Sequence, residues 1–118
     1  MFTEIYSFRE FFNLKEELAV LTYFSTETCN VCKVLKPKIA ELVQNYFPEI
    51  KLFYINSEKL PELAAQNQIF AAPTILVFFE GREFIRKSRN FGIDELRQEM
   101  ERPYNLVIEN RDTDFPNP

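Results

Sequence analysis

The sequence has no histidine and no tryptophan, and only two glycines and two cysteines among its 118 residues. So few glycines, with seven prolines scattered along the chain, leave no flexible linker and no low-complexity stretch. No apolar run approaches the roughly 18 residues of a membrane span. Met1 to Arg9 has no basic stretch followed by an apolar one and carries Glu4 early, so no secretory signal peptide is expected there. The formal net charge of −4 argues against nucleic acid or an anionic membrane as partner. A cytoplasmic location is expected, or a leader already removed. In a reducing cytosol two cysteines seldom act as a structural staple, which shifts their expected role towards catalysis or metal binding.

What is present is enough for one compact domain. Hydrophobic residues make up 46% of the chain, so a core can form without disulfides or metals. Phe2 to Tyr6 reads as a short strand. Ser7 and Glu10 have capping-box spacing, and a helix is expected from Phe8 to Glu17. Leu18 to Phe24 is almost wholly apolar, which suits a central strand covered on both faces. A helix is expected from near Cys29 to Tyr46, with Pro37 inside it as a source of a kink. Lys51 to Asn56 reads as a strand and Leu60 to Gln68 as a short helix. Thr74 to Glu80 and Glu83 to Arg89 read as a hairpin, and Ile93 to Arg102 as a last helix. The order β-α-β-α-β-α-β-β-α implies parallel strands with helices on both faces, then an antiparallel hairpin. Residues 103–118 are expected to form a tail, with Leu106 to Ile108 able to pack down and Glu109 to Pro118 disordered.

Cys29-Asn30-Val31-Cys32 is a C-x-x-C that follows a buried strand and opens a helix. Residues three apart on a helical turn lie close enough for a disulfide. A cysteine at a helix N-terminus meets unpaired backbone N–H groups and the positive end of the dipole, which stabilise the attacking thiolate. Lys33 adds a nearby positive charge. Cys29 is therefore the expected nucleophile, and Cys32, one turn deeper, the thiol that resolves the mixed disulfide. Asn30 and Val31, with Thr28 and Lys33, are expected to tune the pair. The competing readings are a zinc site and a purely structural disulfide. A closed zinc site needs four ligands, and two cysteines without histidine cannot supply them in one chain unless carboxylates help. No metal and no cofactor are expected.

The sequence resembles the thioredoxin family. The resemblance is carried by Tyr23-Phe24 ending a strand, Cys29-Asn30-Val31-Cys32-Lys33, Pro37, Ala72-Pro73-Thr74 and the Glu80-Gly81 turn. It covers roughly Met1 to Arg102, and implies one thioredoxin-like domain over 1–102. It implies a thioredoxin fold, a central mixed sheet with helices on both faces. It further implies a cis peptide before Pro73, with Ala72 offering its backbone to an extended substrate segment. Oxidised proteins would be the substrates of a monomeric enzyme, and an upstream disulfide reductase its electron source.

The chain also departs from that pattern. Typical members read Trp-Cys-Gly-Pro-Cys. Here Thr28 precedes the pair, Asn30 and Val31 lie inside it, and Ser25 replaces a second tryptophan. A buried acid of the family corresponds to Tyr23, and the lysine that partners it to Tyr54. Their joint loss is coherent, because one buried charge without its partner is costly. A glycine beside the substrate groove corresponds to Arg89. A cation there would favour acidic substrates, although Arg82, Arg86, Lys87 and Arg89 also read as charges guarding an edge strand. Two other functions stay open: a binding module with a vestigial or regulatory cysteine pair, and a disulfide oxidant or isomerase.

Overall fold

The structure is a computed structural model and describes residues 2–113. Five strands and four helices alternate as β1 (Phe2–Glu4), α1 (Phe8–Leu14), β2 (Ala19–Ser25), α2 (Asn30–Tyr46), β3 (Lys51–Asn56), α3 (Pro61–Gln66), β4 (Thr74–Phe79), β5 (Arg82–Ser88) and α4 (Ile93–Thr113). The sheet order is β1-β3-β2-β4-β5. β3 runs parallel to both β1 and β2, while β4 runs antiparallel to β2 and β5. This is the expected thioredoxin fold, with β2 at its centre.

The run from Ala19 to Ser25 is buried at every position, and strand alternation sends its side chains to two cores. Leu21 and Tyr23 join Ile39 and Val43 of α2, and Leu96 and Met100 of α4. Val20 and Phe24 join Phe11 and Leu14 of α1, and Leu63 of α3. A strand covered on both faces has no exposed alternation to show, which is why this segment reads as a continuous apolar run.

Ser7 caps α1 by accepting from the Glu10 N–H at 3.1 Å, and the Glu10 carboxylate accepts from the Tyr6 N–H at 2.7 Å. The helix ends at Leu14 rather than Glu17. The Glu17 N–H instead closes a tight turn onto the Leu14 carbonyl, and the chain enters β2 directly afterwards. α3 is likewise shorter than expected, because Gln68 takes a positive φ of 59°. In the β4–β5 hairpin, Glu80 and Gly81 both have positive φ, 55° and 84°. These are the two turn residues of a tight hairpin, so β4 stops at Phe79.

The clearest difference concerns the last helix. It was expected to end at Arg102 and instead runs to Thr113 with Pro103 inside it. Proline removes one intrahelical hydrogen bond, but packing offsets that loss. The Tyr104 ring lies 5.0 Å from that of Phe47, its hydroxyl accepts from the Glu49 N–H at 3.1 Å, and Val107 is buried. Leu106 stays exposed, so of the expected apolar run Val107 and Ile108 reach the core. The expected disorder of 109–118 does not apply to the backbone up to 113, and for 114–118 it lies outside the described residues.

Candidate active site

Three segments meet at one end of the sheet. β2 delivers the chain into the turn that leads to Cys29. The register sets Thr74 opposite Phe24, so Pro73 falls level with the end of β2. Thr74 also faces Ser88, and the Arg89 N–H donates to the Pro73 carbonyl at 2.8 Å. Cys29 and Ala72 are both partly buried against the same core cluster. The structure thus gathers Cys29, Cys32, Ala72, Pro73 and Arg89 at the carboxyl end of the central strand.

Cys29 is the N-cap of α2, and its Sγ accepts from the Cys32 N–H at 3.1 Å. A sulfur placed there receives an unpaired backbone donor and the positive end of the helix dipole. Cys29 and Cys32 are joined by a disulfide, with Cα atoms 5.3 Å apart. That separation is within the usual range for such a bond. The two sulfurs are not equivalent: Cys32 is 2% exposed, while Cys29 is partly open. Thr28, Asn30, Val31 and Lys33 surround the pair and are all exposed. Val31, Val34 and Leu35 line a shallow apolar depression of about 380 Å³ next to it.

The Ala72–Pro73 peptide is cis, as the resemblance implied. Arg89 has a φ of 60°, in the left-handed region that favours glycine. An arginine therefore stands where the backbone suits the expected glycine. It is exposed and lies just past β5, an edge strand whose Arg86 and Lys87 pair with acids.

Beneath Cys32 the acid–lysine pair of the resemblance is replaced by aromatic chemistry. The Tyr23 hydroxyl donates to the Cys32 carbonyl at 2.7 Å. Burial, with a smaller contribution from Tyr54, pushes the Tyr23 phenol well above its usual pKa. It therefore keeps its proton and holds the first turn of α2 in place. Ser25 Oγ donates to Tyr54 Oη at 3.2 Å. Ser25, Cys32, Lys33, Lys36 and Tyr54 border a pocket of about 360 Å³. Lys36 escaped the sequence reading, although its position four residues after Cys32 on one helix carried the signal. Among the described residues no cluster of Cys, Asp and Glu is arranged to hold a metal ion. No helix among them is long and apolar enough to cross a membrane.

Comparison with known proteins fits this geometry. The profile of the Thioredoxin family matches residues 3–102. The chain belongs to the thioredoxin family. It is 33% identical over 93 residues to the thioredoxin-like protein YdfQ of Bacillus subtilis (strain 168), covering 79% of this chain and 82% of that one. It is 40% identical over 72 residues to a thioredoxin of Buchnera aphidicola subsp. Schizaphis graminum, covering 61% and 66%. Thioredoxin 1 of Thermosipho africanus superposes with a TM-score of 0.66 at 33% identity, over 77% of this chain and 98% of that one. Oxidised thioredoxin O2 of Arabidopsis thaliana superposes with a TM-score of 0.75 over 87% and 94%, and at 23% identity it speaks to the fold alone. This thioredoxin-family chain is a thiol–disulfide oxidoreductase whose C-x-x-C dithiol is Cys29–Cys32.

Proposed function

We propose that the protein reduces disulfides of other proteins, with Cys29 as attacking thiolate and Cys32 as resolving thiol. The difference in exposure between the two sulfurs carries this assignment: a bulky disulfide can meet Cys29 and not Cys32. The Cys29 thiolate attacks one sulfur of the substrate disulfide, and the other sulfur leaves with the bonding pair and takes up a proton. Cys32 then loses its proton and attacks Cys29. The Cys29–Cys32 bond forms, and the second substrate sulfur leaves as a thiolate. The substrate gains two electrons and the enzyme's dithiol loses them.

The surrounding residues take supporting parts. Thr28, Asn30, Val31 and Lys33 tune the couple through their exposed positions beside it. Ala72 and Pro73 offer backbone to an extended substrate segment. Arg89 places a cation beside them, which favours acidic segments. An upstream disulfide reductase returns the electrons, in the cytoplasm, to a monomer. We assign residues 1–102 as the thioredoxin-like domain, in line with the extent of the family match. Residues 103–118 are its C-terminal extension, whose first part continues α4.

Trapping tests the assignment. Cys32→Ser leaves Cys29 able to attack but removes the thiol that releases it. This variant is expected to accumulate mixed disulfides with oxidised proteins that a reductant dissolves. Recovery of no Cys29-linked partner would favour a binding module instead. The potential of the couple gives the direction. A reductase is expected at or below about −220 mV, whereas a value near about −120 mV would mark an oxidant.

A further inference from the structure

The resolving step needs a thiolate on Cys32, yet Cys32 lies 2% exposed against an apolar cluster that disfavours charge. The groups facing it come from four places. β2 contributes the Tyr23 hydroxyl, already donated to the Cys32 carbonyl, and the Ser25 hydroxyl, donated to Tyr54. The following turn contributes Glu27, which is exposed and lies 4.0 Å from Lys59. β3 contributes Tyr54, and α2 contributes Lys33 and Lys36. Neither β2 nor β3 brings a carboxylate to this pocket.

The two lysines are held differently. Lys33 is exposed. Lys36 lies one turn beyond Cys32, on the same face of α2. Its ammonium sits 4.0 Å from the centre of the Tyr54 ring and 5.4 Å from that of Phe2. Both distances are within cation–π range. Rings from β3 and β1 thus fix one cation at the wall of the pocket that Cys32 shares. The pocket, about 360 Å³ and lined in part by Cys32, has room for water.

We propose that Lys36 is the positioning residue of the resolving step: its ammonium, held by Tyr54, stabilises the Cys32 thiolate across this pocket. The proposal rests on the assignment of Cys32 as resolving thiol. Cys32 gives its proton to pocket water and attacks Cys29 Sγ. The bond between Cys29 and the substrate sulfur breaks as Cys29–Cys32 forms, and the leaving sulfur keeps the bonding pair and takes a proton from solvent. Lys36 transfers no proton and touches no substrate. Its charge makes the thiolate available at a lower pH. The cation reaches the site from the helix that carries the cysteines rather than from a strand beneath them.

Stopped-flow reaction of the reduced full-length protein with dithiobis(nitrobenzoate) separates the two thiols. The first coloured thiolate is released when Cys29 attacks and the second when Cys32 resolves. Lys36→Met is expected to slow the second release about tenfold near neutral pH and to raise its pH midpoint by about one unit. The first release is expected to stay within about twofold of wild type, since Lys36 acts on Cys32. Lys36→Arg restores the charge and is expected to restore the second release. An unchanged second release in Lys36→Met, equal slowing of both releases, or an arginine variant as slow as the methionine one would each overturn the proposal. Absence of a second release from wild type, or a Cys29→Ser variant with an unaltered first release, would instead overturn the dithiol assignment beneath it.

Discussion

Tyr23 holds the resolving cysteine's turn by a single hydroxyl. Its O–H donates to the Cys32 carbonyl inside a fully buried shell. Tyr23→Phe removes the donor and leaves that carbonyl without this partner. The expected cost is about 1–2 kcal/mol, read from the denaturant midpoint. Gly81 is the second sensitive position. A Cβ there would meet Glu16 Oε1 at 2.7 Å, on a backbone with φ of 84°. Gly81→Ala is expected to lower stability by about 1 kcal/mol or more in the same measurement. The cysteines were legible because a C-x-x-C opening a helix is tied to a local geometry, whereas the cis proline and the glycine-like site at Arg89 were legible through the family resemblance. Lys36 was not, because its role depends on where β1 and β3 set Phe2 and Tyr54. That is a register: the spacing along α2 sets Lys36 on the Cys32 face but does not reveal the rings that hold it.

Among the elements, α4 departs most from its sequence reading, and the reason is tertiary. Pro103 marks a local break, yet Leu96, Met100, Tyr104 and Val107 continue one buried face across it. The contacts with Phe47 and Glu49 hold the second half in place. Tyr104→Ala is expected to cost roughly 3 kcal/mol in chemical denaturation, the scale of a buried aromatic truncation. An effect near zero would mean that the helix beyond Pro103 does not contribute to the core. α4 is also tied to β5 by Lys87, which bridges Glu95 and Glu99. The hydrogen bond from Lys87, aided by the Gly92 N–H, holds the Glu95 carboxyl below its usual pKa. The bonds to Glu95 and then Glu99 hold Lys87 above its usual value. A lowered carboxyl pKa adds stability above the ordinary carboxylate range and loses it as pH falls through the folded value. The raised lysine acts oppositely: its contribution is present below the ordinary lysine range and lost as pH rises through the folded value. Melting temperatures over about pH 2 to 6 are therefore expected to fall less steeply in Lys87→Met than in wild type.

At the scale of the whole molecule, the alternation of apolar runs and helical faces implied parallel strands layered between helices and a closing antiparallel hairpin, while the strand order and the two cores come from the structure. The functional end follows from that order. β2 is central, so the turn after it, the loop before β4 and the chain after β5 all reach the same edge. Sequence motifs named most of the residues gathered there. They placed Cys32 one turn deeper than Cys29, and the resemblance set Tyr23 and Tyr54 in place of the acid–lysine pair. They did not show that Cys32 is only 2% exposed, nor that a helix-borne lysine lines the same pocket. Both depend on packing from segments distant along the chain. The central claim is that Cys29 and Cys32 form a working reductase dithiol. Insulin disulfide reduction with dithiothreitol as electron source tests it most directly. Wild type is expected to accelerate precipitation of the freed insulin chains, and Cys29→Ser to fall to the rate of dithiothreitol alone. A wild-type rate no faster than dithiothreitol alone, or a Cys29→Ser variant as fast as wild type, would contradict it.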